Sequence, residues 1–250
     1  MRLGIISALA EEQQGLLEAI QGPATLSHGM RVYTAGNLWG IDAVSVLSRI
    51  GKVAAAMTAT TLVEKFGVTH IVFTGVAGSG HADVKVGDIV VADTLLQHDV
   101  DASPLFPRFQ VPLTGLSHFA SDLALTDRLA SAAAHFLADG LATHIDAAQR
   151  LAFGLAQPRV HRGVIASGDQ FIASRAHIER LRADIPGLLA VEMEGAAVAQ
   201  VCFELGIPFA VMRTISDNAN DAAAHDFMRF VGCVASRYAV QTMHHFCLEQ

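Results

Sequence analysis

The chain is short of charge, of cations in particular, of cysteine and of long apolar runs, and each shortage removes a class of explanation. Charged residues make up 16% of the 250, against 52% apolar. That balance lies far from the polar, highly charged regime of disordered chains and predicts one large domain, 1–250, with a sizeable core. Lys and Arg number 17 against 24 Asp and Glu, a formal net charge of −7. The cations form no stripe that could neutralise a phosphate backbone, so nucleic acid is excluded as a partner. Cys202, Cys233 and Cys247 are an odd number with no CxxC spacing. Each sits in an apolar or helical run where a small buried thiol is expected, so disulfides and a zinc site are set aside. No apolar stretch approaches membrane-spanning length without interruption, and Met1-Arg2-Leu3-Gly4-Ile5-Ile6 opens on a short apolar run without a cleavage pattern. A cytoplasmic protein with no membrane partner is expected.

Short β-rich runs alternate with longer helical patterns. Strands are predicted over 3–7, 32–36, 42–48, 69–74, 88–95, 160–166, 188–191 and 209–215. Helices are predicted over 10–20, 52–66, 122–138, 176–183, 194–205 and 224–246. The second is alanine-rich and apolar nearly all round, with Gly67 placed to stop it, and Gly206-Ile207-Pro208 ends the fifth. Strands followed by helices predict an α/β fold, a single-domain three-layer α/β/α sandwich around a central mixed sheet. The segment 101–121 has three prolines and weak periodicity and reads as a long surface loop, a kind of loop often given to function. No repeat, low-complexity tract or linker divides the chain.

Several places bear chemistry. Glu11 and Glu12 stand where an apolar strand gives way to a helix, so one of them can face a ligand at the rim of the sheet; the alternative is that both merely complement the helix dipole. Thr74-Gly75-Val76-Ala77-Gly78-Ser79-Gly80 runs from a strand into a glycine-rich turn that lets a ligand approach the backbone. It matches neither GxGxxG nor a P-loop, and a plain tight turn is an equal reading. Val191-Glu192-Met193-Glu194 puts two carboxylates at the junction of an apolar strand and a helix of small residues, where a charge is costly without a partner. Such a pair can accept the hydroxyls of a sugar or simply cap the helix. Arg213 and Asp217 flank another strand end and can serve a site or pair with each other. Phe171, after Gly168-Asp169-Gln170, offers a ring to a base or to the core. His98-Asp99-Val100-Asp101 carries ligand-type residues in no metal spacing, so a hydrogen-bonded loop is expected there and no metal. The other histidines, His244-His245 included, read as solvated.

The order of these motifs resembles the methylthioadenosine/S-adenosylhomocysteine nucleosidases, in the purine nucleoside phosphorylase fold. The likeness runs from Gly4-Ile5-Ile6-Ser7-Ala8-Leu9-Ala10-Glu11-Glu12 through Ile50-Gly51-Lys52, Thr74-Gly75-Val76-Ala77-Gly78 and Lys85-Val86-Gly87-Asp88. It continues in Ser167-Gly168-Asp169-Gln170-Phe171 and Val191-Glu192-Met193-Glu194 and ends in Arg213-Thr214-Ile215-Ser216-Asp217. The resemblance implies cofactor-free hydrolysis of the bond between adenine and ribose. By it Asp217 is the general acid toward N7 of the departing base and Glu12 the base that activates water, while Glu194 and Met193 hold the ribose hydroxyls. Glu192 and Arg213 support the site, Arg213 counted with the catalytic set. Phe171 stacks on adenine, the Ile172 backbone reads its edge, and Ser216 and Gln170 lie nearby. Val76, Ala77 and Gly78 border the substrate, and Ala8, Leu9, Ile50 and Phe227 line the alkylthio end. The resemblance also implies a homodimer in which the 101–113 loop completes the neighbour's pocket.

Two departures stand out. Val76 replaces a serine found in many bacterial members, and Leu105-Phe106-Pro107 lacks a tyrosine pattern seen in some. Other wording is similar to the branch that also splits aminodeoxyfutalosine. The rivals are a phosphorylase of the same fold and a non-catalytic nucleoside-binding protein. The acidic turn at Glu11 and Glu12 would repel phosphate, and paired acid and base residues exceed what binding needs.

Overall fold

In the computed structural model, which describes residues 1–248, strands and helices alternate. The last two residues of the domain expected over 1–250 lie outside the described residues. The order is β1 (Arg2–Ser7), α1 (Ala10–Ala19), β2 (Ile20–His28), β3 (Arg31–Leu38), β4 (Ile41–Leu47), α2 (Lys52–Phe66), β5 (His70–Phe73), β6 (Val76–Ser79), β7 (Ile89–Gln97) and β8 (Phe119–Ala120). Then come α3 (Leu123–His135), α4 (Leu141–His144), α5 (Ala147–Ala152), β9 (Val160–Ser167), α6 (Arg175–Asp184), β10 (Leu188–Glu192), α7 (Gly195–Leu205), β11 (Phe209–Asp217), α8 (Ala223–Phe230) and α9 (Ser236–Leu248).

The sheet is mixed, in the order β2-β3-β4-β1-β5-β11-β6-β10-β9-β7-β8. Because β11 also pairs with β7, strands β11, β6, β10, β9 and β7 close into a ring. Both faces are covered, and the side-chain period of two sorts residues between them. On β1, Leu3 and Ile5 join the core under α1, α3 and α9, while Ile6 joins the core under α2 and α7. The small residues Ala55 and Ala59 of α2 and Ala196, Ala199 and Cys202 of α7 are buried in that second core. They let the two helices pack closely on each other and on the sheet.

Several expectations need correction. β2 falls where no strand was expected, because all of its residues but Ile20 are exposed and no alternation marks it; it exists by hairpin pairing to β3, His28 opposite Arg31. The first helix therefore stops at Ala19. The glycine-rich turn is in fact β6, paired with β11 and β10. The long helices expected over 122–138 and 224–246 are interrupted by π-helical turns at Phe136–Gly140 and Val231–Ala235. The 101–121 segment is not wholly on the surface, since Val111 and Phe119 are buried and β8 pairs with β7. Cys233 is exposed, whereas Cys202 and Cys247 are buried, and all three thiols are free. His244 and His245 are half-buried against each other, with Trp39 edge-on to His244. No helix among the described residues is long and apolar enough to cross a membrane.

Candidate active site

The ends of β1, β6, β10 and β11 converge on a cavity of about 250 Å³. Of the residues singled out in the sequence, Ala8, Leu9, Glu12, Ile50, Val76, Ala77, Gly78, Gln170, Phe171, Ile172, Glu192, Met193, Glu194, Asp217 and Phe227 line it. Val191 also lines it; nothing distinguished this valine from the rest of an apolar strand. Arg213 and Ser216 do not line it and stand behind the carboxylates. Of the two early glutamates, Glu11 points to solvent and Glu12 is buried.

Glu12 is held where β1 turns into α1. One carboxylate oxygen accepts from the backbone N–H of Ala8 and of Leu9, both at 2.9 Å, and the other from the Val76 N–H at 3.1 Å. Burial still pushes its pKa above the ordinary carboxylate value, against these N–H groups and the Arg213 charge. Such a group is poised to take up a proton nearer neutrality.

Asp217 closes β11, a strand buried along its whole length. The pairing of β11 with β6 slips between Ile215 and Asp217, and this bulge at Ser216 sets Asp217 against Gly78. A Cβ on Gly78 would come within 3.0 Å of the Asp217 Oδ1, so the glycine makes room for the carboxylate. Oδ1 accepts from the Ala219 N–H and Oδ2 from the Ser216 hydroxyl, both at 2.8 Å. Burial again raises the pKa, opposed by these two donors. A carboxyl at the cavity wall whose hold on a proton is strengthened by burial is suited to serve as an acid.

The two carboxylates flanking Met193 do different work. Glu192 is saturated: it accepts from the N–H groups of Glu194 and Gly195 at the start of α7, from the Ser167 hydroxyl, and from the Arg213 guanidinium at 2.7 Å. Arg213 is itself buried, with its guanidinium 4.0 Å from the centre of the Phe73 ring and bonded to the carbonyls of Phe73 and Met212. Arg213 thus pairs with Glu192, and Asp217 with Ser216 and Ala219; the Arg213–Asp217 pair open in the sequence does not form. Glu194 has one protein partner on its carboxylate, the Gly51 N–H at 2.8 Å, and its other oxygen is available to a ligand. Burial first, and then the neighbouring charge of Glu192, push its pKa up to about 8.

At the mouth, the Phe171 ring is half-exposed and meets Phe227 edge-on, the centroids 5.7 Å apart. Ile172 is buried beneath it. The cavity therefore offers a flat apolar slot at one side, carboxylates at the centre and an apolar rim at Ile50, which is more than half exposed. The residues lining it include no Lys, Arg or His. No group of three or more metal-ligating side chains among the described residues is arranged to hold a metal ion. In the His98-Asp99 pair, His98 is buried and Asp99 binds Lys52.

Known proteins share this frame. A sequence profile of the phosphorylase superfamily matches residues 2–242. A 5'-methylthioadenosine/S-adenosylhomocysteine nucleosidase of Shewanella frigidimarina is 34% identical over 92% of each chain. Among solved structures, the same enzyme from Neisseria meningitidis, in complex with methylthio-immucillin-A, is 31% identical and superposes with a TM-score of 0.86 over 98% of this chain and 97% of its own. A futalosine hydrolase of Helicobacter pylori, 32% identical, gives 0.85 over 100% and 98%. The chain belongs to the phosphorylase superfamily and, within it, to the 5'-methylthioadenosine/S-adenosylhomocysteine nucleosidase family.

Proposed function

We propose that this protein hydrolyses the N-glycosidic bond of methylthioadenosine and S-adenosylhomocysteine, releasing adenine and the thioribose product. One observation carries the choice of water over phosphate: four carboxylates, Glu12, Glu192, Glu194 and Asp217, converge on an apolar cavity whose lining holds no cation. Cleavage of a glycosidic bond passes through an oxocarbenium-like sugar, which an ionised carboxylate beside it stabilises, whereas phosphate finds no cationic side chain in the lining to bind it. The buried Arg213 guanidinium behind the carboxylates is occupied by Glu192.

Asp217 delivers a proton to N7 of adenine as the base leaves, and Glu12 takes one from the attacking water. Glu194, with Met193, holds the ribose hydroxyls. Phe171 stacks on the base, the Ile172 backbone reads its edge, and Ala8, Leu9, Ile50 and Phe227 receive the alkylthio group. The likeness to a futalosine hydrolase favours aminodeoxyfutalosine as a further substrate of the same chemistry. We place the enzyme in the cytoplasm, where an exposed thiol such as Cys233 stays reduced. We also infer a homodimer, supported by bare apolar side chains at Leu105 and Leu113 of the 101–113 loop and at Val53 of α2.

The test is adenine release from methylthioadenosine, S-adenosylhomocysteine and aminodeoxyfutalosine, with and without phosphate. Release at the same rate in phosphate-free buffer is expected; a strict phosphate requirement with a ribose-1-phosphate product would overturn hydrolysis.

A further inference from the structure

Three motifs, Ile50-Gly51-Lys52, His98-Asp99 and Gly168-Asp169, supply no acid or base to the proposed reaction. In the fold they meet. Lys52 is the first residue of α2, a position at which a cation opposes the helix dipole. Its ammonium lies 2.6 Å from the Asp99 carboxylate and 3.0 Å from the Gln97 amide oxygen, at the end of β7. Its backbone N–H donates to Asp169 Oδ1 at 2.8 Å, and the Asp169 N–H in turn donates to the other Asp99 oxygen at 2.9 Å. The preceding Gly51, at φ +100°, a backbone region suited to glycine, turns its own N–H onto Glu194. Carboxylates from two other segments thus cap α2, which has no side-chain cap of its own. The Lys52–Asp99 pair is largely shielded, with less than a fifth of either side chain exposed. Although burial raises the Asp99 carboxyl, Lys52 and the Asp169 N–H outweigh it and hold the group below its ordinary value.

We propose that Lys52 is a positioning residue: with Asp99 it clasps the base-binding segment 169–172 and the Gly51–Glu194 contact to the start of α2, so that the purine slot and the ribose carboxylate are set as one unit. Lys52 does not line the cavity and acts through Asp169 and Gly51. The proposal rests on the nucleosidase reading for its kinetic readout. A preformed slot contributes to ground state and transition state alike, so its loss raises KM while leaving kcat nearly unchanged.

For Lys52→Met we expect KM for methylthioadenosine to rise about tenfold, the scale of one charge-assisted hydrogen bond, with kcat within about threefold of wild type. Hydrogen exchange at the Asp169 amide should quicken by a similar factor. Asp99→Asn, which keeps the size and an acceptor for the Asp169 N–H, serves if Lys52→Met does not fold, and its KM should rise as well. The double variant should lose less than the product of the two single losses, because both break one interaction. A folded Lys52→Met with wild-type KM and wild-type Asp169 exchange would overturn the clasp. Should the wild-type protein release no adenine, the nucleosidase reading fails alone, and the exchange measurement still decides the clasp.

Discussion

At the scale of single residues, the two proposed proton-transfer groups sit in different settings and should respond differently to the same substitution of amide for acid. Glu12 accepts three backbone N–H groups through its two oxygens. Glutamine keeps one oxygen, so its amide group must face a donor with a donor. Glu12→Gln should therefore lower unfolding stability by about 1–3 kcal/mol, the cost of a buried unpaired donor, besides removing the base. Asp217 faces one N–H and one hydroxyl. A hydroxyl can turn its proton away, so the Asp217→Asn amide can donate to Ser216 while its oxygen accepts from Ala219. That variant should unfold close to wild type. Both should lose about a hundred- to ten-thousand-fold in kcat, the range of a general acid–base step, with adenine binding largely retained. Denaturant unfolding, calorimetric adenine titration and turnover on each variant check all three statements. Near wild-type turnover of a folded Asp217→Asn would remove Asp217 as the acid.

At the scale of elements, two helix starts are turned upon carboxylates: α7 upon buried Glu192, and α2 upon buried Glu194 and exposed Asp169. Glu194 is raised from 4.5 to about 8, so the folded protein binds a proton there that the unfolded chain releases above pH 4.5. Stability must fall as pH rises across that window, by up to about 1.4 kcal/mol per pH unit for one group, and Glu12 and Asp217 shift in the same direction. The urea midpoint of the ligand-free protein should drop between pH 5.5 and 8, and Glu194→Gln should flatten the slope; an unchanged slope would refute the raised Glu194. Such helix starts were half legible in the sequence. Strand-to-helix junctions announced Glu12, Glu192, Glu194 and Asp217, because an acid beside an apolar run is conspicuous. β2 was hidden because it is exposed on both faces, and β6 because three glycines in eight residues, 75–80 with the strand before them, read as a turn. The π-helical turns leave no trace in a 3.6-residue period. The pairing of Arg213 with Glu192 rather than Asp217 depends on strands 21 residues apart being brought together across the ring, which no local pattern encodes.

At the scale of the molecule, the cavity has a bare apolar residue at its rim, and other apolar side chains are bare elsewhere on the surface. Ile50 marks its rim, and Val53 and Met57 on the same end of α2, Met30 in the β2–β3 turn, and Leu105 and Leu113 in the loop after β7 are all exposed. The Met30 turn is tied to α2, since Arg31 bonds the Ala54 carbonyl and reaches the Met57 sulfur at 3.5 Å, so Met30, Val53 and Met57 belong to one corner. Scattered apolar residues are ordinary on a surface, but a cluster of them is a feature of interfaces, and we propose that a second copy of the chain seats here. A second copy seated there would bring its 101–113 loop to the rim of the first copy's cavity and close the apolar end against water. The protein should therefore sediment as a dimer at working concentration. Val53→Asp and Leu113→Asp place an acid where burial would strand a charge, and each should shift the protein toward monomer. Neither residue lines the cavity within its own chain, and only an effect that passes through assembly depends on protein concentration. KM for methylthioadenosine should rise about tenfold or more in the monomeric variants and recover as protein concentration is raised. A wild-type monomer with full activity would overturn the dimeric site, as would a monomeric variant with an unaltered KM.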